Sequence, residues 1–481
     1  MAFTVGQALN ASAEEATADA YSPWLRVFTV SGVAADAPLV DLNGTAQHLP
    51  WSRVNSSSVG DFSAIGFFFA RTLFNRLVAE TGASVPLGVI SNNVGGTAIE
   101  LWVDETSLNA CAGAPDAPYA PPYTNGSLYN GMIAPFGTGP TAAAGWAFYQ
   151  AEANAPPYGD SPEWYACTFA QLIERWRSAV FGTDAAGLWF GFVQLAPFIG
   201  PDGWEEVRQS QLVGGLAQPN VTYGTMVDNG DPLSPFGSYH PRNKQLIAER
   251  LVNAAVSEVY GLPARARWRA PELASASFSQ SGDAVTVTAQ LSFVPASGIS
   301  TVAAPCPVAE GVPAAICADF SVWWRPAPAP NYTHLGEGFL AAGNDCPGGA
   351  GANLTIAEAL AGCTAIDECV GITYASNSTD PSARFDMLYK CRSLNFLPSN
   401  SALWQSFGND RDWRGERVAA RGAASGATVT ISAAAPSPGQ GQRAVAAGYG
   451  WSTWPLTPLV VDAGGNTTLP VIPFYATAPA A

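Results

Sequence analysis

The alternation of short apolar runs with helical apolar stripes over residues 1–262 constrains the fold of this chain more than any other feature. Phe169, Leu172, Ile173 and Trp176, for example, recur with the period of an α-helix between two such runs. Strands that alternate with helices pair in parallel, so the pattern predicts an α/β domain with a doubly wound parallel sheet. The strand-like runs are Leu25–Val30, Pro86–Ser91, Gly145–Gln150, Leu188–Leu195 and Tyr223–Val227.

The pattern changes after residue 262. Ala284–Leu291 and Ala427–Ser432 alternate polar with apolar residues, which is typical of half-buried antiparallel strands. We therefore expect residues 263–330 and 414–481 to form one β-rich module that follows the sheet domain, with residues 331–413 inserted between its halves.

The insert is predicted to be a small disulfide-rich domain with one helical stretch, Thr355–Ala361, because half of the cysteines of the chain fall within it. Zinc sites are usually built from Cys-X-X-Cys pairs or histidine clusters, and the chain has neither. No metal and no other cofactor is predicted. The insert cysteines are Cys346, Cys363, Cys369 and Cys391.

The overall composition is that of an acidic globular protein. Of its 481 residues, 48% are hydrophobic and 12% are charged, and the net charge is −16. No basic stripe interrupts the acidic surface, so nucleic acid and anionic membranes are poor candidate partners. No apolar run approaches the roughly 18 to 20 residues that span a bilayer, and no membrane span is predicted.

Eight cysteines and nine Asn-X-Ser/Thr sequons favour secretion, or the lumen of a lysosome or another endomembrane compartment. Met1–Gln7 has neither the positive charge nor the apolar core of a signal peptide. Either the predicted compartment is wrong or an N-terminal segment precedes Met1. The sequons begin at Asn10, Asn43, Asn55, Asn125, Asn220, Asn331, Asn353, Asn377 and Asn466.

His240 lies between a strand-like run and an apolar helical stripe, within the stretch Ser234–Lys244. We expect it to be the N-cap of that helix, with Pro241 at the first helical position. Asp228 and Asp231 precede it at the carboxyl end of a strand, which is where active sites of open α/β sheets lie. His240 is thus a candidate general base, and the alternative is a capping histidine beside a polar loop.

Two further turns follow predicted strands and carry candidate oxyanion donors. Gly95 and Gly96 expose backbone N–H groups to a ligand, and the side-chain amides of Gln150 and Asn154 can polarise a carbonyl oxygen. The alternatives are a tight glycine turn and a helix cap. A nucleophile is not evident, because no Gly-X-Ser-X-Gly elbow is present.

Several turns, in the same order along the chain, resemble the sialate O-acetylesterase family of SGNH-type serine esterases. The resemblance covers Met1 to about Ser300 and Ala444–Tyr475, and it implies an SGNH, flavodoxin-like sheet domain. Its motifs are Leu87–Ser91 with Gly95–Trp102, Trp146–Asn154, Ser234–Lys244 and Tyr449–Pro455.

The resemblance implies a role for each turn. His240 would be the catalytic base, Gly95 or Gly96 an oxyanion donor, and Gln150, Glu152 and Asn154 the polar lining of the acyl pocket. Many SGNH esterases carry an aspartate three residues before the histidine. This chain does not, so the acid would be Asp231 or Asp228.

The resemblance also concerns the start of the chain and the turn at Ala151. Met1–Val5 resembles the residues directly after the nucleophile in the family motif Gly-Gln-Ser-Asn-Met. The serine and the central strand before it would then lie upstream of Met1, so the chain would be truncated. Ala151 replaces a family glycine.

Disulfide expectations come from the family and from locality. The family pairs cysteines equivalent to Cys111 and Cys167, and closing short loops favours Cys306 with Cys317. The four insert cysteines would pair with one another in one of three ways. Through residues 343–346 and 363–371 the insert resembles a PAN/apple module, a class that binds protein or glycan ligands.

The leading hypothesis is a carbohydrate, sialate-type O-acetylesterase that hydrolyses acetyl esters on sugars by a Ser-His mechanism whose serine is absent from this chain. Its partner would be an O-acetylated sugar or glycan. The alternative from another class is a non-catalytic extracellular glycan-binding protein on an esterase scaffold. A structural extracellular protein is a third hypothesis, since fold alone does not give function.

Overall fold

The structure is a computed structural model, and its described part comprises many segments of the chain. They are residues 2–30, 32–42, 49–114, 116–117, 126–138, 143–159, 161–181, 188–201, 203–262, 268–296, 298–302, 320–325, 333–340, 345–365, 369–375, 382–391, 396–398, 404–408, 416–419, 421–436, 442–449, 459–462, 469–471 and 473–478.

Helices concentrate in the first half of the chain and strands in the second. The α-helices are α1 (Ala11–Thr17), α2 (Ala64–Thr81), α3 (Glu105–Ala110), α4 (Pro162–Phe181), α5 (Trp204–Leu216), α6 (Lys244–Glu258) and α7 (Ile356–Ala365). The strands up to residue 302 are β1 (Leu25–Val30), β2 (Leu49–Arg53), β3 (Leu87–Asn92), β4 (Gly145–Phe148), β5 (Trp189–Val193), β6 (Val221–Gly224), β7 (Glu272–Ser281), β8 (Ala284–Ser292) and β9 (Ile299–Val302).

The later strands are β10 (Phe320–Arg325), β11 (Thr333–Leu340), β12 (Asp345–Leu354), β13 (Cys369–Ala375), β14 (Phe385–Cys391), β15 (Phe396–Pro398), β16 (Trp404–Gly408), β17 (Glu416–Ala419), β18 (Arg421–Ser425), β19 (Thr428–Ala434), β20 (Arg443–Tyr449), β21 (Leu459–Asp462) and β22 (Phe474–Thr477).

The predicted parallel strands are present, but they form two three-stranded sheets. One has the order β2-β1-β3 and the other the order β4-β5-β6. The pairs β1/β3, β4/β5 and β5/β6 are parallel, as predicted, and β2 runs antiparallel to β1. Among the described residues no strand joins β3 to β4, so the single continuous sheet of the prediction is not seen.

Local sequence signals set the ends of α2, which packs beside the first sheet. The Ser63 hydroxyl accepts a hydrogen bond from the Gly66 N–H, as an N-cap should. Gly82 ends the helix in the left-handed conformation, with φ of 70°. Between these caps Ile65 and Phe68 are fully buried, so the helix covers the sheet with its apolar face.

An aromatic cluster fills the core between α4 and the second sheet. Phe169 stacks on Phe148 at 5.3 Å between ring centroids, and Phe190 and Phe192 contact Phe169 edge-on. Such pairs add about 0.5–1.5 kcal/mol each beyond the free energy gained from buried apolar area.

The Cys111–Cys167 disulfide, which the family resemblance implied, joins the end of α3 to α4 and is confirmed.

The second half of the chain is built from antiparallel sheets, as the alternating pattern predicted. Inward-facing Val285, Val287 and Ala289 of β8 are buried, and their neighbours along the strand are more exposed. The sheet orders are β18-β19-β8-β7, β17-β10-β20-β22 and β21-β9.

Strands β11 to β16 form a further sheet, with the order β12-β14-β13-β16-β11-β15, and α7 packs on it. The Cys363–Cys369 disulfide ties α7 to β13, and Cys346 is also disulfide-bonded. Pairing within this set is one of the arrangements that the sequence left open. The predicted Cys306–Cys317 bond lies outside the described residues.

In the described part of the chain, no helix is both long enough and apolar enough to cross a bilayer.

Candidate functional site

A cavity of about 1280 Å³ lies between β3 and β4 and reaches the carboxyl ends of both strands. Gly95, Gly96, Gln150, Glu152 and His240 all line it. The structure therefore brings candidate residues that are far apart in the sequence to the wall of one cavity. Asn154 lies behind this wall, and Asp228 and Asp231 lie in the loop that leads to His240.

His240 is held in a loop and does not cap the helix that follows. Asn243 is the N-cap of α6, where its side chain accepts a hydrogen bond from the Leu246 N–H. The predicted N-cap role of His240 is therefore wrong. Its N–H donates to the Gly237 carbonyl and its own carbonyl accepts from the Ser234 hydroxyl at 2.7 Å, so the loop closes on itself.

Of the two imidazole nitrogens of His240, Nδ1 is hydrogen-bonded to a described residue and Nε2 is not. Nδ1 lies 2.7 Å from the backbone carbonyl oxygen of Phe236. A carbonyl can only accept a hydrogen bond, so in the neutral ring Nδ1 carries the proton and Nε2 carries the lone pair. No described residue forms a hydrogen bond with Nε2. This ring can therefore take a proton from a group placed in the cavity.

Neither candidate aspartate contacts the imidazole. Asp231 receives hydrogen bonds from the side chain and the backbone N–H of Arg242, and Asp228 is paired with Arg250 at 2.6 and 2.7 Å. Desolvation raises the pKa of Asp231, but the hydrogen bonds from Arg242 outweigh it and hold that pKa below its ordinary value. These ion pairs fix the loop, and the Phe236 carbonyl orients the ring.

Gly95 and Gly96 lie in the turn that follows the carboxyl end of β3, and both line the cavity. Gly96 has φ of +70°, a conformation that other residues rarely adopt. A Cβ on Gly95 would lie 3.5 Å from the Cβ of Ala2, so this turn is packed against the first residues of the chain. Unencumbered backbone N–H groups at such a turn suit a developing oxyanion.

The side-chain amides of Gln150 and Asn154 are occupied by one another and by the turn after β3. Gln150 Nε2 donates to the Thr97 carbonyl at 3.1 Å and to Asn154 Oδ1 at 2.7 Å. Asn154 Nδ2 donates to both carboxylate oxygens of Glu100 at 3.1 Å. In this structure the two amides connect the turn after β3 with the turn after β4.

Glu100 lies behind the cavity wall and accepts hydrogen bonds from Asn154, although the sequence argument gave it no role. It is 9% exposed, and Trp164 Nε1 donates to it at 2.9 Å. Buried carboxylates need such partners. Its position in the Gly95–Trp102 motif was the available signal.

Ala151 occupies a strained position between Gln150 and Glu152. Its φ is +124°, in the region that favours glycine, and its side chain is fully buried. This is the residue that replaces a glycine of the resembling family. The backbone keeps the glycine-like turn and places Glu152 in the cavity wall.

Lys244 is a further cavity residue that the sequence argument did not single out. It is 1% exposed, and Nζ lies 4.5 Å from the ring centroid of Phe3 and 5.2 Å from that of Tyr149. Burial lowers the pKa of Lys244 to about 8, and the charges of Glu152 and Asp231 oppose that shift. Phe3 in turn packs edge-on against Phe236 at 5.1 Å, so Lys244 supports the residue that holds His240.

No protein-family model matches the chain. The sialate O-acetylesterase of Rattus norvegicus is 32% identical to it over 312 residues, and that of Homo sapiens is 33% identical over 285 residues. Each alignment covers 54% of this chain, with 55% of the rat protein and 52% of the human protein. The chain thus spans about half the length of the curated relatives it matches.

A crystal structure of a carbohydrate acetylesterase from Xanthomonas citri superposes with a TM-score of 0.59 at 23% sequence identity. The match covers 99% of this chain and 78% of that protein. At this identity the likeness concerns the fold. The chain is therefore similar in sequence to sialate O-acetylesterases over about half of its length, and it shares its fold with a carbohydrate acetylesterase.

Proposed function

We propose that this chain carries most of the active site of a carbohydrate O-acetylesterase, which cleaves acetyl esters on sugars of the sialate type. The observation that carries the proposal is His240, whose Nε2 is free while the Phe236 carbonyl fixes Nδ1. An imidazole held in this tautomer at the mouth of a large cavity is prepared to act as a general base.

The nucleophile in this proposal is a serine upstream of Met1. Its hydroxyl would give its proton to His240 Nε2 and attack the acetyl carbonyl, and the N–H groups of Gly95 and Gly96 would hold the oxyanion. The imidazolium would give that proton to the sugar oxygen as its bond to the acetyl carbon breaks, so the sugar leaves as an alcohol and the acetyl group stays on the serine. Water, deprotonated by His240, would then hydrolyse this acetyl-serine and release acetate. Among the described residues, no hydroxyl or thiol lies within hydrogen-bond distance of Nε2.

Aromatic side chains at the mouth of the cavity support a sugar as the substrate. Tyr158 is 61% exposed and Phe236 is 38% exposed, and Tyr239 packs on His240 with 4.3 Å between ring centroids. Exposed aromatic surface beside polar groups is typical of a ligand site, and the apolar C–H face of a sugar ring can stack on it.

The test is to extend the chain with the polypeptide encoded directly upstream of Met1 and to measure acetate release from O-acetylated sugars. We expect turnover that falls by at least about a hundredfold in H240A, because a positioned base contributes that much. Equal turnover in H240A would exclude His240 as the base.

The chain without the extension should hydrolyse aryl acetates no faster than its own H240A variant, because a base without a nucleophile gives no covalent catalysis. Clear His240-dependent hydrolysis by the unextended chain would mean that a serine within residues 1–481 is the nucleophile.

A non-catalytic glycan-binding protein remains the second candidate, and the absence of a described hydroxyl at Nε2 favours it. It predicts that O-acetylated sugars bind to the unextended chain and that an in-frame stop codon, rather than a serine motif, lies upstream. The insert would then contribute to recognition of the glycan or of a protein.

A further inference from the structure

Lys244 is the one Lys or Arg residue in the described wall of the cavity. It is the first residue of α6, and it is 1% exposed. The rest of that wall is mainly apolar and aromatic, and the other carboxyl or imidazole groups in it are those of Glu152 and His240. A charge in such surroundings is costly unless it has a partner, so the ammonium of Lys244 needs one.

The ammonium of Lys244 faces aromatic rings and no oxygen acceptor of the described chain. Nζ lies 4.5 Å from the ring centroid of Phe3 and 5.2 Å from that of Tyr149. No described residue forms a hydrogen bond or an ion pair with Nζ. Ring faces attract a cation, but they do not replace the oxygen acceptors that an ammonium group prefers. An anionic group of a ligand in the cavity would supply such acceptors.

Glu152 lies in the same cavity wall and is not paired with Lys244. Its charge opposes the fall in the pKa of Lys244 that burial causes, but the two side chains form no ion pair. The Glu152 carboxylate also forms no hydrogen bond with a described residue. The wall thus presents a cation that can bind a carboxylate and a carboxylate that can accept from hydroxyl groups. A sugar acid carries both of these groups, whereas an acetate ion carries only a carboxylate, which Glu152 repels.

The ring of Phe3 connects Lys244 with the proposed base. Its centroid lies 4.5 Å from Nζ and 6.4 Å from the centroid of the His240 imidazole. Phe3 also packs edge-on against Phe236, whose carbonyl orients that imidazole. A ligand carboxylate bound to Nζ is therefore held close to the group that would take a proton during ester cleavage.

We propose that Lys244 binds the carboxylate of an acidic sugar and that Glu152 accepts hydrogen bonds from hydroxyl groups of the same ligand. The inference rests on the proposed function and deepens it, because it assigns the residue that distinguishes acidic from neutral sugars. The alternative is that Lys244 only supports Phe3, in which case its replacement affects acidic and neutral ligands equally.

The test is a binding titration of the chain with N-acetylneuraminate and with its methyl ester, which has the same hydroxyl groups and no charge. Isotope-labelled lysine gives one side-chain NMR signal for each of Lys244 and Lys390, which are the only lysines of the chain. We expect the acid to shift the Lys244 signal saturably and the ester to leave it in place, with Lys390 as the internal reference. A Lys244 signal that does not respond to the acid would overturn the proposal.

The bound carboxylate should also raise the pKa of Lys244 from its value of about 8, because it favours the ammonium. Glu152 and Asp231, whose charges act on Lys244, and the neighbouring Tyr149 and His240 are present with either ligand. A rise with the acid and none with the ester therefore reports the ligand carboxylate. An equal pKa with both ligands would contradict the assignment.

Lys244→Met is the matched neutral variant, and Lys244→Arg keeps the charge. We expect Lys244→Met to weaken binding of the acid at least about tenfold, because a charge-assisted hydrogen bond is lost, and to change binding of the ester by less than about twofold. Lys244→Arg should retain most of the binding of the acid. Equal losses for the acid and the ester in Lys244→Met would leave Lys244 with a structural role only and overturn the proposal.

The remaining outcomes separate this inference from its neighbours. Acetate that binds as tightly as N-acetylneuraminate would overturn the selection of sugars and assign Lys244 to released acetate. In the extended chain that tests esterase activity, equal kcat/KM for acetyl esters of acidic and neutral sugars would overturn this inference and uphold the esterase. Binding of the acid at Lys244 without ester hydrolysis would uphold this inference and contradict the esterase.

Discussion

Asp231 receives hydrogen bonds from Nε and a terminal nitrogen of Arg242, at 2.7 and 2.9 Å, and its carboxylate does not contact the imidazole two residues before that arginine. The nearest acidic residue before His240 in the sequence therefore has a structural role. It fixes the end of the loop that holds the base.

We expect Asp231→Asn to lower the free energy of unfolding by about 1 kcal/mol at neutral pH, because the pair is partly exposed. The folded-state pKa of Asp231 lies below its ordinary value, so its contribution is present above that value and is lost as the pH falls through the folded pKa. Denaturant unfolding of the variant and the wild type should therefore converge in acid. A difference that persists at low pH would contradict the ion-pair argument.

The buried Lys244 should make stability rise with pH. Its pKa is about 8 in the folded chain and 10.5 as the ordinary value, so between these pH values the unfolded chain binds more protons than the folded one. Relative to Lys244→Met, the free energy of unfolding should rise by about 1 kcal/mol per pH unit in this window. Lys244→Arg, which stays charged, should show no such rise. If the difference in free energy of unfolding between the wild type and each variant did not change with pH, the shifted pKa would be excluded.

Replacing Ala151 with glycine, the residue that the resembling family has at this position, should stabilise the chain. The Ala151 φ of +124° is strained for alanine and relaxed for glycine, so Ala151→Gly should stabilise the chain by about 1 kcal/mol. The matched control is Ala155→Gly, a neighbouring buried position with φ of −106°, where glycine should destabilise. Thermal unfolding of the two variants in opposite directions checks the argument, and equal losses would refute it.

The two disulfides whose cysteines are both described should differ in their contributions. Cys111–Cys167 closes a loop with a sequence separation of 56, and Cys363–Cys369 one with a separation of 6. Loop entropy predicts losses of about 4 and about 2 kcal/mol on replacing each pair by serine. Denaturation followed by tryptophan fluorescence measures this, and a larger loss for the short loop would show that packing of α7 on β13 dominates.

Strand positions were largely predictable because local pattern determines them. Leu25–Val30 is the same in prediction and structure, and the predicted Leu188–Leu195 contains β5. Both runs are rich in apolar residues and have the length that is typical of a buried strand. The Gly96 turn was also predictable, since a residue without Cβ adopts a positive φ at the lowest cost.

Roles that depend on partners distant in sequence were not predictable. By propensity, His240 and Asn243 are both plausible N-caps of α6. Asn243 is the N-cap because the hydrogen bond from the Ser234 hydroxyl to the His240 carbonyl and the Asp231–Arg242 ion pair hold residues 234–242 as a closed loop. Likewise, nothing local indicates that Asp228 pairs with Arg250, 22 residues later.

The sequence by itself determined the strands, the glycine turns and the single histidine at a strand-to-helix connection, because these depend on composition and period within a few residues. Only the tertiary structure decided that the parallel strands stand as two sheets with a cavity between β3 and β4, and that the Phe236 carbonyl orients His240. The reason is physical. Which edge a strand pairs with, and which atom a ring nitrogen meets, depend on packing between elements tens to hundreds of residues apart, and no local preference encodes those contacts.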